Sequence, residues 1–156
     1  MDMESEVPRE RRIVVGVDGS AQSREALRWA VEQARATSGV VEAVTAWEYP
    51  QTYGWRVPVV AGELARAAGH ALADSVAEVV GANRPVEIRE RVQCGNAAQV
   101  ILEAAQEAEL LVVGNRGHGG FTGALLGSVS RHCVQHAPCP VVIVRHAHNE
   151  TAGRGC

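Results

Sequence analysis

LLVVGNRGHGGFTGALLGS, Leu110 to Ser128, decides the fold. Leu110-Leu111-Val112-Val113 reads as a buried strand, and VSRHCVQHA, after the glycines, reads as a helix that must stop before Pro138 and Pro140. Between them the glycines keep a fixed spacing, G-x2-G-x9-G-S, from Gly114 and Gly117 to Gly127 and Ser128. A strand, a glycine-rich turn and a helix start make an anion site. Glycine admits a close backbone approach, and the open N–H groups of the first helical turn point toward negative charge. Ser128 offers a hydroxyl that can bond a phosphate oxygen or cap the helix. Glycines at both ends of one strand-loop-helix favour phosphate binding over a plain surface loop.

Working outward, the chain alternates strands and helices. Arg12 to Val17 (RIVVGV) is too apolar to alternate, as expected of a strand buried on both faces. It ends in Asp18-Gly19-Ser20, with Ser20 placed to cap a helix that carries Ala26, Leu27, Ala30, Val31 and Ala34 on one face and closes at Gly39. Val40 to Trp47 is the second strand. Glu48 to Pro58 is a loop carrying Tyr49, Tyr53 and Trp55. A helix over 59–82 shows Leu64, Ala68, Ala71, Leu72, Val76, Val79 and Val80 at helical spacing, and Arg84-Pro85 breaks it. Val86 to Val92 alternates, which marks a strand at the sheet edge. Asn96 with Gln99 opens another helix in the manner of a capping box. Val141 to Arg145 is the last strand. The order β-α-β-α-β-α-β-α-β implies an α/β fold, a parallel sheet covered on both faces with right-handed crossovers. Ligands of such sheets bind at the carboxyl ends of the strands, where the strand order reverses. A nucleotide fits a site where Asp18 faces the Gly114 loop. Asp18 would accept a hydrogen bond from ribose or base or help hold a metal; the alternative is an acid that merely favours a helix start.

Composition narrows the chemistry. The 156 residues suffice for one domain with a real core, assigned to 11–145, with 1–10 and 146–156 expected to be disordered. A net charge of −3 gives no global attraction to nucleic acid or to an anionic membrane, and neither is an expected partner. All fifteen basic residues are Arg, so a P-loop lysine and a Schiff-base lysine are excluded. The polar start MDMESEVPRERR does not read as a signal peptide, and the expected location is the cytoplasm. The four cysteines form no CxxC and no disulfide framework. His132-Cys133, His136 and Cys139 have ligand types suited to zinc, yet they sit on one short helix and its exit without a second ligand pair, so no metal centre is expected there.

Three stretches together resemble a known family. VVGVDGS near the start, VVGNRGHGG-x6-GSVS near the end and the closing HAPCPVVIV look like the universal stress protein family, over about Arg11 to Arg145, and like its ATP-binding subclass in particular. The resemblance implies an open, Rossmann-like, five-stranded parallel sheet in the order 3-2-1-4-5, with Asp18 and Gly114 on adjacent strands. It implies adenine near Asp18, Gly19 and Ala46, and a triphosphate along Gly114, Gly117, Gly127, Ser128 and Val129, with Mg2+ or Mn2+ bridging its oxygens. By position, Arg116 and His118 inside the loop reach phosphate. It also implies a homodimer through the edge strand Val141–Arg145 and a regulatory or signalling role in stress response, read by an unidentified protein partner.

Other classes fare worse. A dinucleotide-dependent dehydrogenase needs GxGxxG after the first strand, and VGVDGSAQS does not supply it. A hydrolase or nucleotidyl transferase needs an acid-base or nucleophile group beside the phosphates, and His118 and Ser128 are the only candidates, with no general-base partner in the sequence. The remaining alternatives are a ligand-free interaction module of the same fold and a slow ATP hydrolase.

Overall fold

The computed structural model describes residues 9–50, 60–117 and 126–145. They form β1 (Arg12–Gly16), α1 (Ala21–Thr37), β2 (Val40–Trp47), α2 (Ala61–Val80), β3 (Ile88–Cys94), α3 (Ala97–Ala104), β4 (Leu110–Gly114), α4 (Ser128–His136) and β5 (Val141–Val144). The five strands make one sheet in the order β3-β2-β1-β4-β5, and every pair is parallel.

The apolar runs explain the layering. In β1, Ile13 and Val15 face one core and Val14 the other. α1 and α2 cover the first face through Leu27, Ala30, Ala34, Leu72 and Val76. α3 and α4 cover the second through Val100, Ile101, Ala104 and Cys133. The stripe expected on α1 is the one buried, and Ser20 caps it by accepting from the Ser23 amide at 3.2 Å. α3 likewise opens on Asn96, whose side chain accepts from the Gln99 amide.

Three expectations need adjustment. It is Ser38, not Gly39, that takes the left-handed conformation ending α1 (φ 57°), while the Gly39 amide closes the turn on the Ala34 carbonyl at 2.8 Å. In α2 only Leu72 and Val76 of the expected stripe are fully buried, and Ala71 is exposed. β3 begins at Ile88 rather than Val86, because its register follows β2 from Val41 opposite Ile88 to Trp47 opposite Cys94. It is an edge strand, as the alternation requires.

The chain runs from β1 outward to β2 and β3, then returns to β4 on the other side of β1. The strand order therefore reverses between β1 and β4, and a crevice opens at their carboxyl ends.

Candidate functional site

A cavity of about 510 Å³ fills that crevice, within the size range of small-molecule sites. Asp18, Ala46, Gly114, Arg116, Gly117, Gly127, Ser128 and Val129 all line it. Gly19 does not; it turns behind the wall with φ 83°, its carbonyl accepting from the Arg24 guanidinium at 2.5 Å. His118 lies outside the described residues.

Asp18 is shaped by the end of β1. Its Oδ1 accepts from the Ser20 amide at 2.9 Å and from the Ser20 hydroxyl, and its own amide donates to the Ser23 hydroxyl at 3.2 Å. One carboxylate oxygen thus braces the turn into α1. The other, Oδ2, lies against the glycine loop, where a Cβ placed on Gly117 would collide with it.

The loop is closed from beneath. The Gly127 amide donates to the Asn115 carbonyl at 2.7 Å, and the buried Ser130 hydroxyl donates to the Gly114 carbonyl at 2.5 Å. Those two bonds draw the end of β4 and the start of α4 together. Gly114 is needed for packing as well, since a Cβ there would meet the main chain and Cβ of Gln22 at 2.9 Å.

The helix start supplies donors. Gly127 is the N-cap of α4 and gives no side-chain cap, so Ser128 is the first helical residue and not the cap. Arg131 is the first residue whose amide finds an intrahelical acceptor, the Gly127 carbonyl at 3.0 Å. The amides of Ser128, Val129 and Ser130 have no such acceptor, and all three residues line the cavity. Three N–H groups, the Ser128 hydroxyl and the positive end of the helix therefore face one space. Arg116 and Arg131 add positive charge to its wall, and Asp18 lies against Gly117 on the same wall.

Several wall residues escaped the sequence reading. Val44, Val113 and Ile101 form an apolar floor, Ala97 at the start of α3 closes one side, and Arg131 and Ser130 come from α4. Their signal was topological: in a parallel sheet every strand-to-helix turn opens at the same end, which brings Ala97 and Asp18 to one cavity. The group H-C-x2-H-x2-C is split by its helix. Cys133 is fully buried, and burial pushes its thiol up to about 11, whereas His132 and His136 are exposed. Among the described residues no three His, Cys, Asp or Glu side chains converge.

Comparison with known proteins follows the same outline. The model of the universal stress protein family matches residues 10–145. A universal stress protein of Mycobacterium tuberculosis is 34% identical over 143 residues, covering 85% of this chain and 47% of that relative. One from Mycolicibacterium smegmatis is 31% identical over 147 residues, covering 90% of this chain and 49% of its own length. The chain thus spans about half the length of the curated relatives it matches. Among solved structures, one from Lactobacillus plantarum shares the fold at a TM-score of 0.71 and 23% identity, over 88% of this chain and 99% of that one. A universal stress protein solved in complex with cAMP superposes at a TM-score of 0.63 with 29% identity, over 89% of this chain and 99% of that one.

Proposed function

The chain belongs to the universal stress protein family, and from that premise we propose that it binds an adenine nucleotide, ATP with Mg2+ or Mn2+, in the cavity between β1 and β4. Occupancy of that cavity serves as a regulatory signal in stress response, carried by a cytoplasmic homodimer and read by a protein partner. The observation that carries the reading is the convergence on one cavity of the Ser128 hydroxyl and three amides without intrahelical acceptors at the start of α4, with Asp18 on the same cavity wall. Such a helix start takes a phosphate without further machinery. The apolar floor of Val44, Val113 and Ile101 with Ala46 suits a base. A similar protein, 29% identical, was solved with the adenine nucleotide cAMP.

The residues fit a divalent ion. Mg2+ is held by one or two carboxylates together with phosphate oxygens and water. Asp18 is the one carboxylate on the described cavity wall, and its Oδ2 lies against Gly117. Bound with ATP, the ion would offset phosphate charge. Arg116 and Arg131 hold charge on the same wall, and the α4 amides fix the phosphates in place.

The same donors argue for retention rather than turnover. Backbone amides and a hydroxyl hold a phosphate equally well before and during reaction, and uniform binding does not raise the rate. The bound state is then long-lived and works as a switch. The homodimer forms through β5, whose Val141 to Val144 are half-buried and whose outer edge is unpaired among the described residues. A two-fold partner adding the same strand would cover that edge.

The test is direct. Nucleotide released from the purified, denatured protein is identified by mass spectrometry, and Mg-ATP, AMP and cAMP are titrated into the emptied protein by calorimetry. A site ligand at a hundredfold excess over its Kd stabilises the fold by about 2.7 kcal/mol. No bound nucleotide and no stabilisation by any of the three would favour the ligand-free interaction module instead.

A further inference from the structure

α4 carries a second pair of ligating side chains, away from the cavity. His132 and His136 stand four residues apart, one turn on the same helix face, and both are exposed. Their ring centroids lie 4.6 Å apart, with the planes tilted by 44° and so not stacked flat. Neither histidine lines the nucleotide cavity. We propose that His132 and His136 form a two-imidazole chelate for a borderline transition ion of the Zn2+, Ni2+ or Cu2+ class, its other positions filled by water.

The spacing fits. With metal–nitrogen bonds of about 2.0–2.1 Å, each ring centroid stands about 3.2 Å from the ion, and bond angles of about 90–109° then separate the centroids by about 4.5–5.2 Å. The observed 4.6 Å lies in that window before any ion enters. His136 is in the last turn of α4, where the helix's open carbonyls favour a cation. Imidazole selects this ion class, whereas Mg2+ and Ca2+ prefer oxygen ligands. A four-ligand centre is not formed, because Cys133 between the two histidines turns into the core. The chelate is therefore open, with exchangeable positions, and independent of the nucleotide reading.

The experiment titrates Zn2+ alone, without nucleotide, into the metal-stripped full chain under a reducing agent. One ion per chain is expected. Outer partners of metal ligands are worth about 10–100-fold in affinity, so His132→Ala or His136→Ala, which removes a ligand outright, should cost at least about tenfold. A His146→Ala/His148→Ala variant and a Cys139→Ser variant should bind as the parent does. Paramagnetic resonance of the parent with one equivalent of Cu2+ should show two coupled nitrogens, a reading that needs no variant. Undiminished binding in the His132→Ala/His136→Ala protein, loss confined to the 146/148 or Cys139 variants, or one ion per two chains would each overturn the proposal.

Discussion

Gly127→Glu separates the phosphate site from the fold. Gly127 sits at φ −71° and ψ 171°, a conformation open to any residue. A Cβ built there meets Arg116 Cα at 3.4 Å, and the Asn115 carbonyl and Gly117 amide at 3.7 Å, which is ordinary contact. The variant should fold and melt close to the parent. Its carboxylate, however, enters the space in which phosphate is proposed to lie. Two unit charges about 4 Å apart at an effective dielectric of about 20 interact by about 4 kcal/mol, and a repulsion of that size is close to three decades in Kd. Gly127→Ala adds the Cβ without the charge and should lose less than a decade. Calorimetry with Mg-ATP on the three proteins, each checked by circular dichroism and thermal melting, gives the answer. Parent-like affinity in folded Gly127→Glu would refute the phosphate assignment. Equal losses in Ala and Glu would remove its electrostatic half.

Four further outcomes are expected. Asp18→Ala removes a charged hydrogen-bond partner worth about 1.5–3 kcal/mol and should weaken Mg-ATP by about one to two decades; if calorimetry shows unchanged affinity with a lowered melting point, Asp18 serves only the turn into α1. Phosphate release under excess Mg-ATP should stay far below the enzyme norm of about 10 per second, and turnover near that norm, abolished by His118→Ala, would make the protein an enzyme. Ile143→Asp should convert the dimer to a monomer by light scattering, and a parent that is already monomeric at micromolar concentration would sink the β5 interface. Arg12 ties β1 to Glu42 at 2.8 Å and to the carbonyls of Ala104 and Gln106 at 2.6 Å each; Arg12→Ala should cost about 2–3 kcal/mol, or roughly 5–10 °C at about 2–4 °C per kcal/mol, and an unchanged melting curve would show these bonds to be idle.

Arg12 also marks where sequence reading stops. The strands and α1 were legible because burial on both faces leaves unbroken runs such as Ile13-Val14-Val15, and burial on one face leaves a stripe such as Leu27, Ala30 and Ala34. What was not legible depends on partners distant in the chain. The start of β3 is set by its pairing with β2. The role of Arg12 needs α3, which lies 92 positions away at Ala104. No periodicity in RIVVGV carries any of this.

The glycine loop shows the same division at finer scale. Spacing alone treats Gly114, Gly117 and Gly127 as one motif with one task. In the structure they answer to three constraints. Gly114 admits the backbone of α1 at Gln22, so a side chain there attacks the fold. Gly117 leaves room for one oxygen of Asp18, so a side chain there pushes on a group whose other oxygen is anchored to Ser20. Gly127 has room for a Cβ and lines the cavity at the start of α4. Substitutions at the three positions should therefore fail differently, by unfolding, by displacing Asp18 and by repelling phosphate. The spacing is common to all three because each constraint acts where the end of β4 meets α1, the β1 turn or the first turn of α4. A site built this way ties the cavity lining to the packing of two helices on the sheet.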